Sequence, residues 1–230
     1  MKQFALSLLA LAAAAPSLSA ASVQGFDISH YQASVDFAGA YDAGARFLMI
    51  KATESTTYID PAFNSHYTGA TNAGLIRGGY HFAVPDASAG AAQADYFVAN
   101  GGGWSGDGRT LPGMLDMETN PYGADQCYGL SQSAMVSWIR DFADTYKAQA
   151  GRYPMIYTTA SWWESCTGDS SSFSQQCPLV LARWSSEPGR VPGGWPTYSF
   201  WQNNNNYAFG GDSEIWNGSM DSLKKFANGG

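Results

Sequence analysis

The stretch RFLMIKATESTTYIDPAFNSHYTGATNAGLIRGGYHFA, residues 46–83, contains the pattern that decides the fold. Apolar runs at 46–53 and 75–83 each have the length and composition of a buried strand. The segment 61–74 between them is long enough for a helix. Two strands joined by a helix lie parallel in one sheet, because only a long crossover lets the second strand run the same way as the first. The stretch therefore predicts a β-α-β unit.

The same alternation continues on both sides of this unit. Further strands are predicted at 23–29, 111–118, 153–159, 178–184, 198–204 and 213–218. About eight strands in one unbroken chain favour a closed barrel over an open sheet. In the last third, connections such as 185–197 contain no evident helix. We therefore predict a single-domain α/β fold, an incomplete TIM-like β/α barrel with about eight strands, fewer helices and an antiparallel strand or two near its end.

The clearest helix is predicted at 130–151, where apolar side chains recur at helical spacing and Gly151 provides a C-terminal stop. The side chains of this apolar face are Met135, Trp138, Ile139, Phe142 and Tyr146. Such a face is explained by packing against the core, so we assign it no functional role.

The composition is that of a folded, acidic protein. Only 13% of the 230 residues are charged and 14% are aromatic, with a formal net charge of −7. This balance excludes a disordered chain. Because no basic stripe is present, no nucleic-acid partner is predicted. No segment after the N-terminus has the uninterrupted apolar length of a membrane span, so we expect a soluble monomer without a membrane partner.

Residues 1–20 are predicted to be a secretory signal peptide, with cleavage after Ala20 or Ala21. Lys2 precedes an apolar stretch that ends in Pro16 and small residues, which is the layout of such a peptide. The apolar stretch is too short for a membrane anchor. The mature domain, residues 21–230, is then expected to be extracellular.

Three cysteines, Cys127, Cys166 and Cys177, predict one disulfide and one remaining thiol in a secreted chain. By spacing alone, Cys166–Cys177 is a credible pair. The cysteine spacing fits no zinc template, and the three histidines are scattered along the chain. We therefore predict no metal and no cofactor.

Polar and aromatic residues gather at the carboxyl ends of the predicted strands, the rim where parallel barrels carry their chemistry. The charged residues there are Asp27, Lys51, Glu54, Asp116, Glu118, Arg183, Asp212 and Glu214. The aromatic and amide residues, which we predict to bind substrate, are Tyr80, Phe82, Tyr157, Trp184, Trp201 and Gln202. Acids of an ordinary surface would fall mainly on exposed helix faces, so their collection at one rim indicates a site.

Asp116 and Glu118 are separated by one residue on a strand, so both side chains face the same way, ~6–7 Å apart. Like charges at this distance repel, and burial adds a desolvation cost. One carboxyl should therefore keep its proton near neutral pH, which places an acid beside a base. The alternative is a structural ion pair with Arg77, Arg109 or Arg183.

An acid and a carboxylate ringed by Trp and Tyr suit glycoside cleavage. Aromatic faces stack on sugar rings, the acid protonates the glycosidic oxygen, and the carboxylate stabilises the cationic centre. A Ser or Cys nucleophile would need a partnered histidine. Although His30 and His81 could reach the rim, no GxSxG elbow is present and no cysteine has a reactive context.

Eight ordered motifs resemble those of the Chalaropsis-type lysozymes, family 25 of the glycoside hydrolases, especially its secreted fungal members. These motifs are GFDISHYQ at 25–32, FLMIKATE at 47–54 with YIDPAF at 58–63, GGYHFA at 78–83, LDME at 115–118, YPMIYT at 153–158, LARW at 181–184, FWQ at 200–202 and DSEIWNGS at 212–219. The resemblance implies a flattened β/α barrel and a single catalytic domain over residues 21–230. It also implies an N-acetylmuramidase that cuts β-1,4 bonds after N-acetylmuramic acid in peptidoglycan.

The resemblance further implies roles for individual residues. Glu118 is implied as the general acid and Asp116 as its partner, with Asp27 and Asp212 completing an acidic cluster. Cysteines matching Cys127 and Cys166 in fungal relatives imply that these two pair, which leaves Cys177 free. The chain departs from the family at Ser55, where the family has Gly, and at Glu214 and Trp216, where the closing motif has Asn and Phe.

Our mechanistic hypothesis is retention with substrate assistance, because a D-x-E pair leaves no obvious in-line nucleophile on the enzyme. The rival is inversion by direct water attack, with Asp27 or Asp212 as the base. Three other functions stay open at this point, of which a structural or inhibitor protein is the least favoured, because it would not need acids at the strand ends. A chitinase-like enzyme would use the same D-x-E chemistry on another polymer, and a non-catalytic cell-wall-binding module would keep the aromatics without turnover.

Overall fold

The computed structural model describes residues 22–230, so the predicted signal peptide lies outside the described part of the chain. The strands are β1 (Val23–Ile28), β2 (Phe47–Glu54), β3 (Tyr58–Ile59), β4 (Ile76–Phe82), β5 (Met114–Asp116), β6 (Met155–Thr158), β7 (Leu179–Ala182), β8 (Phe200–Asn204) and β9 (Asp212–Trp216). The helices are α1 (Phe37–Asp42), α2 (Phe63–Ala73), α3 (Gly90–Phe97), α4 (Gln132–Ala150), α5 (Ala160–Thr167) and α6 (Met220–Ala227), and a π-helical turn, Val98–Gly102, continues α3.

Eight strands close into a barrel in the order β1-β2-β4-β5-β6-β7-β8-β9, and β9 returns to β1. The decisive stretch forms β2, α2 and β4, and the two strands pair in parallel with Phe47 beside Ile76. The predicted single-domain barrel is therefore confirmed. The short strand β3, which pairs antiparallel with the end of β2 outside the ring, was not predicted.

The final third departs from regular β/α alternation, as predicted. No helix lies between β7 and β8, and β9 runs antiparallel to both of its neighbours, β8 and β1. An antiparallel strand needs only a short connection, so the barrel closes without another crossover. Helices α5 and α6 were missed, because each is only eight residues long and has no extended periodic pattern.

Side chains alternate between two apolar layers, as the period of a strand requires. On β2, Phe47 and Met49 fill the barrel lumen, whereas Leu48 and Ile50 pack outward under the helices. Helix α6 contributes Leu223, Phe226 and Ala227 to the lumen cluster, so it closes the end of the barrel opposite the predicted rim. Apolar packing therefore occupies the lower lumen and leaves the upper lumen to polar groups.

Helix α4 confirms the predicted core stripe. Its buried side chains are Met135, Trp138, Ile139, Phe142, Ala143 and Tyr146. Ser131 caps the first turn by accepting from the backbone N–H of Ala134, and Gly151 ends the helix at φ 84°. Both ends therefore follow from local sequence signals.

Cys127 and Cys166 form a disulfide, with their Cα atoms 5.3 Å apart, and Cys177 is a buried free thiol. The pairing implied by the family resemblance is confirmed, and the alternative pair Cys166–Cys177 is wrong. The bond ties the loop after β5 to α5.

Candidate active site

Strand alternation places Asp116 and Glu118 on the same side of β5. Met114 packs in the lumen cluster, whereas Leu115 and Met117 pack in the outer layer. The ladder continues past the end of β5, because the Met117 N–H donates to the Tyr157 carbonyl at 2.9 Å. Both acids therefore point into the upper lumen, where they line the same cavity.

The barrel brings four predicted acids together at this rim. A cavity of about 270 Å³ is lined by Asp27, Asp116, Glu118 and Asp212. Asp27 and Asp212 are register partners across β1 and β9. Asp212 begins an antiparallel strand, so the start of β9 lies beside the carboxyl end of β1 and the two acids share one rim.

The electrostatics agree with an acid beside a carboxylate. Burial raises the pKa of Asp116 well above its usual range, and the neighbouring Glu118 raises it further. Burial also raises the pKa of Glu118, which stays partly exposed at the mouth of the cavity. Two negative charges this close would repel each other, and burial opposes ionisation of both groups. The pair therefore retains at least one proton near neutral pH.

Asp27 is the third acid of the cluster with a raised pKa. Burial, with the charge of Asp212 second, raises the pKa of Asp27 to about 8. Its Oδ2 accepts a hydrogen bond of 2.9 Å from the Gln202 side-chain amide. Burial likewise raises the pKa of Asp212. The whole cluster therefore holds protons more tightly than free carboxyls do.

Lys51 is the cation that faces the acidic cluster. Its Nζ donates to Glu54 at 2.6 Å, and its charge lowers the pKa values of Asp116 and Glu118 against the effect of burial. Lys51 was placed at the rim from its strand position but was not predicted to take part in the site. The sequence signal that could have indicated a role for Lys51 in the site is its position at the end of a predicted strand.

Asp116 and Glu118 form no ion pair within residues 22–230. Arg77 instead bonds to Thr71 and Thr110, and Arg183 to the Glu187 carbonyl. The structural alternative for the two acids is therefore not supported.

Five of the six residues predicted to bind substrate line the site: Tyr80, Phe82, Tyr157, Trp184 and Gln202. Gln202 connects several of them. Its Oε1 accepts from the Tyr157 hydroxyl at 3.0 Å and from the Trp184 indole at 2.9 Å, while its amide donates to Asp27. One buried amide thereby fixes an acid and two aromatic side chains relative to one another.

Trp201 is the exception. It alternates with Phe200 and Gln202, which face the lumen, so its ring lies on the outer face of β8. There it is 8% exposed and donates to the Arg183 carbonyl at 2.9 Å. The structure therefore places Trp201 outside the groove, and its prediction as a substrate-binding residue is corrected to a packing position.

Two open arms extend the central cavity into a groove. One, of about 640 Å³, runs past Tyr157 and the 59% exposed Trp184. The other, of about 440 Å³, runs past Tyr31 and Tyr122, which are 82% and 66% exposed. The two tyrosines were not predicted, because both lie in loops without a strand pattern. An open groove with exposed aromatics on both sides of the acids fits a polymer.

The rim histidines do not activate a nucleophile. His81 is fully buried, with its ring nitrogens 2.8 Å from Thr53 Oγ1 and 2.9 Å from Gln93 Oε1. Burial lowers the pKa of His81 to about 4. The His30 ring contacts Asp60 at 2.9 Å. Both rings are thus held by structural partners.

Two of the residues that depart from the family motifs, Ser55 and Glu214, have unusual surroundings in the structure. Ser55 adopts φ 50°, a left-handed conformation that costs an L-residue roughly 1–2 kcal/mol and that glycine adopts freely. Glu214 is fully buried on β9 below the acidic cluster.

Within residues 22–230, no group of three His, Cys, Asp or Glu side chains is arranged to hold a metal ion. In the same part of the chain, every helix is too short or too polar to cross a membrane.

Comparison with known proteins agrees with this geometry. The profile described as "Glycosyl hydrolases family 25" matches residues 26–212. The chain is 62% identical to an N,O-diacetylmuramidase of Arthroderma benhamiae, over 98% of this chain and 99% of that protein. It is 61% identical to an N,O-diacetylmuramidase of Chalaropsis, over 90% and 100% respectively. The solved structure of a muramidase from Trichobolus zukalii superposes with a TM-score of 0.89 at 63% identity, covering 90% of this chain and all of that one.

Proposed function

The chain belongs to glycosyl hydrolases family 25, and we infer from its site that it is a peptidoglycan-hydrolysing muramidase. The observation that carries this conclusion is the Asp116–Glu118 pair at the centre of an open, aromatic-lined groove. The bond cleaved is the β-1,4 link between N-acetylmuramic acid and N-acetylglucosamine. Neither a chitinase nor a non-catalytic binding module is favoured, because relatives that are 61–63% identical to this chain are named muramidases.

Glu118 is proposed as the general acid. It is partly exposed at the cavity mouth, where a glycosidic oxygen can reach it, and burial raises its pKa, which favours the protonated form that a general acid needs. Asp116 lies deeper and is only 7% exposed. The position of each carboxyl therefore supports a different role.

Asp116 is proposed to orient the 2-acetamido group of the substrate for attack on the anomeric carbon. Its Oδ1 is buried and has no hydrogen-bond partner within the described residues 22–230, so it is available to an amide N–H. That hydrogen bond would stabilise ionised Asp116 and leave the shared proton on Glu118. Departure of the leaving sugar, protonated by Glu118, gives an oxazolinium ion, which water then opens with retention of configuration.

Secretion is part of the proposal. The layout of residues 1–20 supports export with cleavage after Ala20 or Ala21, and the Cys127–Cys166 disulfide suits an oxidising environment. We propose that the mature chain acts outside the cell as a monomer on bacterial walls.

The variant Glu118→Gln tests the acid assignment. We expect the fold to persist and turnover to fall about 10²–10⁴-fold, since the amide has no proton of suitable acidity to donate. Clearing of a purified peptidoglycan suspension measures the rate, and thermal unfolding checks the fold. Glu187→Gln, at an exposed glutamate, is the matched control and should clear at the wild-type rate. Near wild-type clearing by Glu118→Gln would contradict the assignment.

The anomer of the first product separates retention from inversion. Substrate assistance releases the β-anomer first, whereas direct water attack releases the α-anomer. Proton NMR in the first minutes of hydrolysis, before mutarotation, distinguishes them. An initial α-anomer would exclude the substrate-assisted route and assign a basic role to Asp27 or Asp212.

A further inference from the structure

Glu214 is a carboxyl group of the barrel lumen that has no role in the mechanism above. It is 0% exposed, and neither of its carboxyl oxygens has a hydrogen-bond partner within residues 22–230. On β9 it alternates with Ser213 and Ile215, so it faces the lumen with Asp212 and Trp216. Its register partners are Gly25 on β1 and Gln202 on β8.

Among residues 22–230, the groups that act on Glu214 supply no positive charge. Gly25 has no side chain, Gln202 is neutral, and the remaining neighbours that act on it are the acids Asp27 and Asp212. The two rim cations are bonded elsewhere, Lys51 to Glu54 and Arg183 to the Glu187 carbonyl. An ionised Glu214 would therefore be a desolvated charge beside two like charges.

Burial next to two other acids decides the protonation state of Glu214. An unpaired buried carboxylate is far more costly than the neutral acid, which is why buried carboxyls take up a proton. Burial, followed by the charge of Asp27, raises the pKa of Glu214 well above its usual range. A neutral carboxylic acid has one O–H to donate, and a buried donor needs an acceptor. The strand register places such an acceptor beside it: Asp27 lies two residues after Gly25 on the same face of β1, and Gln202, the register partner of Glu214 on β8, is bonded to Asp27.

We propose that Glu214 is a positioning residue. It is a carboxylic acid that keeps its proton through turnover and donates a hydrogen bond to the carboxyl group of Asp27. Asp27 then receives two hydrogen bonds, one from Glu214 below and one from the Gln202 amide at 2.9 Å. The contact with Glu214 lowers the pKa of Asp27, in opposition to burial and Asp212. Glu214 thus helps Asp27 to ionise and holds it toward the groove.

The catalytic part of this inference rests on the proposed function, because it matters to turnover only if Asp27 takes part in the reaction. The proton on Glu214 does not depend on that function. Two kinds of measurement therefore keep the two claims separate.

Infrared difference spectroscopy tests the proton directly. At neutral pH we expect a carbonyl band of a protonated carboxylic acid that is present in the wild type and absent from Glu214→Gln. A wild-type spectrum without a band assignable to Glu214 would overturn the proposal, whatever the enzyme's activity.

Kinetics test the positioning role. Glu214→Gln keeps a neutral donor and should retain turnover within about threefold, together with the wild-type pH profile. Glu214→Leu removes the donor, so kcat should fall by up to about 100-fold, the cost of a small misplacement near the reaction, with KM little changed. The acidic limb of its pH profile should move to higher pH, because Asp27 loses a bond that favours its ionised form.

Thermal unfolding shows whether each variant is folded, and Glu214→Met replaces Glu214→Leu if the latter does not fold. Wild-type kinetics in the apolar variant would overturn the positioning role. An acidic limb that moves to lower pH in Glu214→Gln would also overturn it, since this shift means that a negative charge was removed. Full activity in Asp27→Asn would show that Asp27 takes no part in turnover, which would overturn the positioning role of Glu214 and leave the infrared result standing.

Discussion

Single side chains set the proton distribution in the groove. Asp116 and Glu118 lie in a cavity where burial raises the pKa of each, and the charge of Lys51 opposes this effect. Lys51 Nζ also lies 4.9 Å from the centre of the Phe82 ring. Packing against Phe82 and the bond to Glu54 therefore both hold the Lys51 ammonium group near Asp116 and Glu118.

The variant Lys51→Met should move the pH profile of kcat/KM upward. Without the ammonium charge, the pKa values of Asp116 and Glu118 rise, so both limbs of the bell shift to higher pH by roughly one unit. Initial clearing rates across a pH series measure the shift. Lys147→Met is the matched control, because Lys147 also lies over an aromatic ring, that of Tyr153, but on α4, away from the groove. A profile that stays in place or moves downward would show that Lys51 does not act on the pair.

At the scale of elements, the groove depends on loops that regular secondary structure does not hold. The segment after β5 contains Tyr122, whose hydroxyl donates to Glu54 across one arm of the groove. The Cys127–Cys166 disulfide anchors the same segment to α5. The Trp162 indole on α5 donates to the Gln126 carbonyl at 3.0 Å. The crosslink thus supports one wall of the substrate site.

Removing this crosslink with Cys127→Ala and Cys166→Ala should lower the free energy of unfolding by about 4 kcal/mol, from loop closure across a sequence separation of 39. Denaturant unfolding measures the loss. A reducing agent should destabilise the wild type to a similar extent and leave the double variant unchanged. Cys177→Ala, at the buried free thiol, controls for cysteine replacement. Equal stability of wild type and double variant would show that packing alone holds the loop.

The whole molecule carries a pH dependence that follows from its acidic lumen. Asp27, Asp116, Glu118 and Glu214 all have raised pKa values, so the folded state binds protons that the unfolded state releases above pH ~4. Their contribution to stability is full below that pH and is lost as pH rises toward about 8, the pKa of Asp27. His81, whose pKa is lowered to about 4, acts in the opposite direction, but only below its ordinary value of 6.5.

Between pH 6.5 and 8, therefore, the carboxyls dominate and the free energy of unfolding should fall. Calorimetric melting temperatures at half-unit pH steps measure this slope. Asp27→Asn removes one titrating group and should flatten the slope, whereas Asp144→Asn, on the exposed face of α4, should not. A wild-type melting temperature that is constant or rises over this interval would contradict the raised proton affinities.

The sequence by itself determined the eight strands of the barrel and its longest helix, and it predicted the centre of the site. Eight strands were predicted from apolar runs, the α4 stripe from helical spacing, and the shared face of Asp116 and Glu118 from the period of a strand. These features depend on neighbours within a few residues, so one chain segment contains all the information. Motif order was sufficient to identify the family and the cysteine pair.

Only the tertiary structure decided which side chains meet across strands. It turned Trp201 outward and Gln202 inward, brought Lys51 to the acidic pair, and placed Glu214 beneath Asp27. It also closed the barrel through an antiparallel β9, which aligned Asp212 with Asp27. These contacts join residues as many as 187 positions apart, and their energies come from burial and mutual charge, which exist only once the barrel has closed and excluded water.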